Sequence, residues 1–123
     1  MITIISYVWT AGQTGYHEPV ISISRFRVEN AAAAQFRADA EVAAAQFAAS
    51  SGCLGAQLVQ NLDEPNLWAI VSHWAQVGDY RRAFNGTPAK LALIPLLSLA
   101  IDEPSAYAEP EVVGENHPRA TVG

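Results

Sequence analysis

The stretch CLGAQLVQNLDEPNLWAIVSHW, residues 53–74, restricts the fold more than any other part of the chain. Two extended, apolar-rich runs flank DEPN, where Asp63, Pro65 and Asn66 favour a turn: proline presets φ, and short polar side chains bond to nearby backbone. The pattern predicts a β-hairpin. From Leu67 to Val71 nearly every residue is apolar or aromatic, as expected of a strand covered on both faces. One face must meet helices, and something else must cover the other.

The neighbouring segments supply the helices and further strands. VISISRFRV, residues 20–28, lies between Pro19 and Asn30 and predicts a strand. Asn30 is placed to accept from the free amides of a helix start, and the following AAAAQFRADAEVAAAQFAASSG carries Phe36, Ala40, Ala43 and Phe47 at helical spacing before ending at Gly52. Its many alanines let another surface approach closely, so this helix is expected to lie flat on a sheet. VGDYRRAFNG predicts a short helix closed by Asn85-Gly86. TPAKLAL restarts one, with Thr87 as cap and Pro88 at the first helical position, and Pro95 is expected to break or kink it. SAYAEPEVV, holding Tyr107, predicts a last strand.

The order strand, helix, strand, strand, helices, strand is that of a ferredoxin-like α+β sandwich with an antiparallel sheet. The chain is expected to divide into an N-terminal extension or extra strand over 1–19, the domain over 20–112, and a mobile tail over 113–123. In the extension Tyr7 and Trp9 are expected to cover a pocket mouth or a partner subunit. Because the sheet face left open by the helices is also apolar, a homodimer is expected, its two sheets facing each other.

Charge and composition narrow the partners. With 12 acidic and 7 basic side chains the net charge is −5, which disfavours nucleic acid and anionic membranes as partners. The run LALIPLLSLAI, residues 91–101, is well short of the roughly 20 residues that span a bilayer. Residues 1–10 are apolar but have neither a basic start nor a small-residue cleavage site, so a cytoplasmic location is expected. Cys53 is the single cysteine and reads as a small buried apolar side chain. His17, His73 and His117 are dispersed, which predicts no metal site, and no Gly-rich phosphate loop opens a helix.

EPNLWAIVSHWAQVGDYRRAF, with SSGCLGAQL upstream and IDEPSAYA downstream, resembles the antibiotic biosynthesis monooxygenase family of dimeric α+β barrels. The features carrying the resemblance are a helix ending in a Gly turn, a hairpin, a strand ending in Trp74, and Tyr80 six residues later. The resemblance implies oxidation of an electron-rich aromatic or polyketide-like substrate by dioxygen without a cofactor, in a pocket between sheet and helices. Members that degrade heme place an Asn, a Trp and an iron-binding His where this chain has Ser24, Ala83, and Ala92 or Leu93, so heme cleavage is disfavoured.

Such chemistry needs a proton acceptor and donors for an oxyanion. His73 is the natural base, because its ordinary pKa of about 6.5 lies near working pH. Trp68 and Trp74 share a strand face and can wall a planar ligand, and the resemblance implies that Trp74 and Tyr80 position its hydroxyls. Of Arg81 and Arg82, adjacent on a helix, one can aim inward at an enolate. Strand alternation puts His73 opposite both tryptophans, so it reaches their pocket only through a bulge. Arg25 and Arg27 share the face opposite Phe26, and Asn61 reads as a turn residue. The alternatives are a non-catalytic dimer binding a hydrophobic ligand or a partner, with the same aromatics as its core, and a cyclase or isomerase using the same base.

Overall fold

In the computed structural model, residues 19–115 are described. Strand β1 (Val20–Arg27) passes through a 3-10 turn (Asn30–Ala32) into helix α1 (Ala33–Ala48). The hairpin β2 (Cys53–Gln60) and β3 (Leu67–Trp74) comes next, then α2 (Val77–Arg82), α3 (Thr87–Leu97), β4 (Ala106–Ala108) and α4 (Pro110–Glu115). The sheet order is β2-β3-β1-β4, with every neighbouring pair antiparallel. This is the ferredoxin-like arrangement.

Period-2 alternation decides which side chains build the core. In β1, Val20, Ser22, Ser24 and Phe26 are buried on the face that meets the helices, and in β3 Trp68, Ile70, Ser72 and Trp74 do the same. Register sets these rows side by side: Val20 opposite Trp74, Ser22 opposite Ser72, Phe26 opposite Trp68. Helix α1 answers with Phe36, Ala40, Ala43, Ala44 and Phe47. Its alanines bring the backbone close, and the two phenylalanines at its ends reach the two tryptophans. Phe36 packs edge-on to Trp68 at 5.6 Å between ring centroids, and Phe47 does so to Trp74 at 5.6 Å. Each fully buried ring of this size contributes roughly 1.5–3 kcal/mol relative to exposure. The opposite face, with Ile21, Ile23, Ala69 and Val71, has no helix on it among the described residues and is partly exposed.

The DEPN loop closes as the sequence implies. Asn61 Oδ1 accepts from the backbone N–H groups of Asp63 and Glu64, both at 2.8 Å. Other local expectations are corrected. The α1 segment opens one residue earlier than Asn30, at Glu29, whose carbonyl accepts from Ala32 N–H, and no side chain caps it. Regular helix stops at Ala48, and the chain turns through Gly52 at φ +86°. For α3 the cap position is Gly86, with Thr87 inside the helix and no side-chain cap bond. Pro95 does not end α3, which runs on to Leu97; it costs the helix one N–H bond, the one that residue 95 would give the Leu91 carbonyl. The last strand is three residues long. Residues 109–113 are not its continuation, because Pro110 starts α4, with Glu111 in the first turn.

Of the expected tail, residues 113–115 belong to α4. The rest of it with His117, and the extension with Tyr7, Trp9 and His17, lie outside the described residues. Among the described residues, no helix is long and apolar enough to cross a membrane.

Candidate functional site

The end of β3 leads straight into α2, so Trp74 and Tyr80 approach each other at 5.7 Å between ring centroids. Phe84 and Phe47 complete an aromatic nest, 5.4 Å and 6.4 Å from the Tyr80 ring. Within it Trp74 is 0% exposed and its Nε1–H donates to Ser72 Oγ at 2.8 Å, so its polar atom is already satisfied inside the protein. Tyr80 is different. It is only half-buried, and it lines a cleft of about 360 Å³ bounded by β1, α2, the end of α3 and the segment after it. That volume lies at the small end of ligand clefts.

The cleft wall mixes hydroxyls, carboxylates and aliphatic side chains: Ser24 of β1, then Ser98, Asp102, Glu103 and Ser105, with Leu97 and Ile101 beside them. Backbone bonds fix this segment against β1, Ile101 N–H donating to Arg25 C=O at 2.8 Å and Ile23 N–H to Ser105 C=O at 2.7 Å. Glu103 is clamped by Arg25, Nε to Oε2 at 2.6 Å and Nη2 to Oε1 at 2.8 Å. This two-point bond holds the Glu103 carboxyl below its usual pKa and raises that of Arg25.

The expected site residues fall into separate places. Trp68, 8% exposed, packs on Phe36 and borders a different hollow near Val59, Asn61 and Leu62. Trp68 and Trp74 therefore do not wall one pocket, although they share a face. Arg82 bonds Asp79 at 2.7 Å on the surface, and Arg81 is exposed; neither lines the cleft. His73 lies across the sheet from Trp74 and Tyr80, in register with Ile21 on one side and Gly55 on the other. The bulge at the β2 end falls between Cys53 and Gly55 and leaves β3 alternation intact, so His73 is not turned inward. Burial pushes its pKa down, favouring the neutral ring. Cys53 is half-buried, and burial pushes its thiol pKa up. Among the described residues, no three His, Cys, Asp or Glu side chains gather where they could hold a metal ion.

The cleft-forming segment 97–105 escaped the sequence reading. IDEPS reads as a turn before the last strand, and nothing local says that it folds back along β1. Serines at alternate positions of VISIS were the available signal, because buried hydroxyls on the core face of a strand call for polar company.

The sequence model for antibiotic biosynthesis monooxygenases matches residues 19–92. Among solved structures, SnoaB, a cofactor-independent oxygenase from Streptomyces nogalater, is similar at 24% identity over 73% of this chain and 91% of its own, with a TM-score of 0.62. A conserved protein from Methanosarcina mazei matches at 17% identity over 74% and 92%, with a TM-score of 0.62. A protein of unknown function from Bacteroides thetaiotaomicron matches at 11% over 75% and 98%, with a TM-score of 0.65. At these identities the likeness is one of fold. No curated protein sequence matches the chain.

Proposed function

The chain belongs to the antibiotic biosynthesis monooxygenase family, and on that premise we propose that it is a cofactor-independent monooxygenase acting on an aromatic, polyketide-like small molecule with dioxygen. The observation that carries this reading is the open cleft lined by Tyr80, whose ring packs on the aromatic nest behind it. A ring of the anthrone type loses a proton to water at the mouth and becomes an enolate. Tyr80 O–H donates to the developing oxyanion, where such donors act most strongly. The enolate passes an electron to dioxygen, the radical pair combines to a peroxide anion, and this takes back a proton from water at the mouth to become the hydroperoxide. Loss of water leaves a ketone, so one oxygen atom enters the product and the other departs as water. Trp74 acts through packing, holding Tyr80 in place. The working unit is proposed to be a cytoplasmic homodimer built on domain 20–112.

Oxygen uptake by metal-stripped protein given a reduced anthrone tests the reading. Wild type should consume oxygen above the uncatalysed rate, and Tyr80→Phe should lower kcat/KM, on the order of a hundredfold for loss of an oxyanion donor. No uptake above background overturns it. One observation favours a second reading, a non-catalytic binder of the same ligands: His73, the one histidine among the described residues, stands on the wrong face to take a proton from a ring in the cleft. Ligand binding without oxygen uptake is its signature.

A further inference from the structure

The charges around the cleft carry a statement about its ligand that family membership does not contain. Two carboxylates, Asp102 and Glu103, stand in the wall, and among the described residues no lysine or arginine lines it. The nearest candidate cation, Arg25, has its guanidinium engaged edge-on by Glu103 through two bonds. That pair is neutral as a unit. Asp102 remains as an exposed negative charge at the mouth, with no ion pair among the described residues. The polar part of the wall is otherwise hydroxyl, from Ser24, Ser98, Ser105 and Tyr80. Carboxylates only accept hydrogen bonds and hydroxyls do both, so the wall as a whole is rich in acceptors. The chain's net charge of −5 adds a long-range field of the same sign.

We infer that the cleft selects a hydroxyl- or amine-bearing ring and discriminates against ring carboxylates. This deepens the monooxygenase reading and rests on the same cleft, but binding alone tests it. The measurement is equilibrium binding by quenching of the protein's aromatic fluorescence, using oxidised rings that cannot turn over: 1,4-dihydroxyanthraquinone, an aminomethyl-anthraquinone and anthraquinone-2-carboxylate. For wild type at low salt the carboxylate should bind about tenfold more weakly than the dihydroxy compound, the size expected of one like charge at the exposed mouth. The gap should narrow at high salt, close in Asp102→Asn and reverse in Asp102→Lys. Equal or tighter binding of the carboxylate by wild type overturns the inference, as does a gap unchanged by both Asp102 variants. Selective binding with no oxygen uptake from the matching anthrone keeps the inference and defeats the monooxygenase reading. Failure of all three rings to bind defeats both.

Discussion

Trp74 shows at the scale of one residue why a family-typical aromatic need not touch a ligand. Its ring is wholly enclosed, and its single polar atom is answered by Ser72, itself fully buried two positions earlier on the same strand face. Removing the hydroxyl leaves a buried N–H without a partner, whereas removing both partners does not. Ser72→Ala should therefore lose about 1–3 kcal/mol of unfolding free energy. The double variant Ser72→Ala, Trp74→Phe should lose less than the sum of the two single losses, and denaturant unfolding of the four proteins measures the coupling. Additive losses would show that the bond carries no weight. Strand periodicity made the shared face of Trp68 and Trp74 readable, and it also placed His73 opposite them. It could not reveal that the two indoles serve separate nests, because that depends on Phe36 and Phe47 lying at opposite ends of α1.

At the scale of elements, glycine punctuation was legible and helix starts were not. Gly52 closes the α1 to β2 turn with φ +86°, a region that side chains strain to occupy, and a Cβ there overlaps the Asp79 side chain from α2. The turn thus joins three elements, and Gly52→Ala meets two separate penalties. It should cost roughly 2–4 kcal/mol in thermal or denaturant unfolding, above the roughly 1 kcal/mol expected from the backbone alone. Adding Asp79→Gly should return part of that loss by removing the overlapping side chain, its Cβ included, while leaving the φ strain. Asn30 and Thr87 looked like caps because their side chains can serve as such, yet the boundaries fell at Glu29, just past β1, and at Gly86, in the turn after α2. At the other end of the domain, Val112 and Val113 suggested a strand. Pro110, suited to a helix start, was the signal that prevailed.

At the scale of the molecule, the sheet has one side too few. Among the described residues, helical packing falls on the face of Trp74, and the other carries Ile21, Ile23, Ala69 and Val71, all partly exposed. The sequence announced this surplus through the unbroken apolar run of β3, and no helix among the described residues supplies the second surface. In the proposed dimer a second copy set sheet to sheet supplies it, and in such a two-fold contact each residue occurs twice. Val71 lies mid-strand, level with Gln57 and Ile23, at the centre of this face. Val71→Glu would place two unpaired carboxylates in that interface, at a cost of about 3 kcal/mol or more for buried charge without a partner. The expected result is a dimer in sedimentation of wild type and a dissociation constant raised at least about a hundredfold in the variant. Far-ultraviolet circular dichroism should be unchanged, because the core packs on the opposite face. A wild-type monomer at micromolar concentration would sink the dimer proposal. A variant that unfolds instead of dissociating would mean that this face stabilises each chain from within.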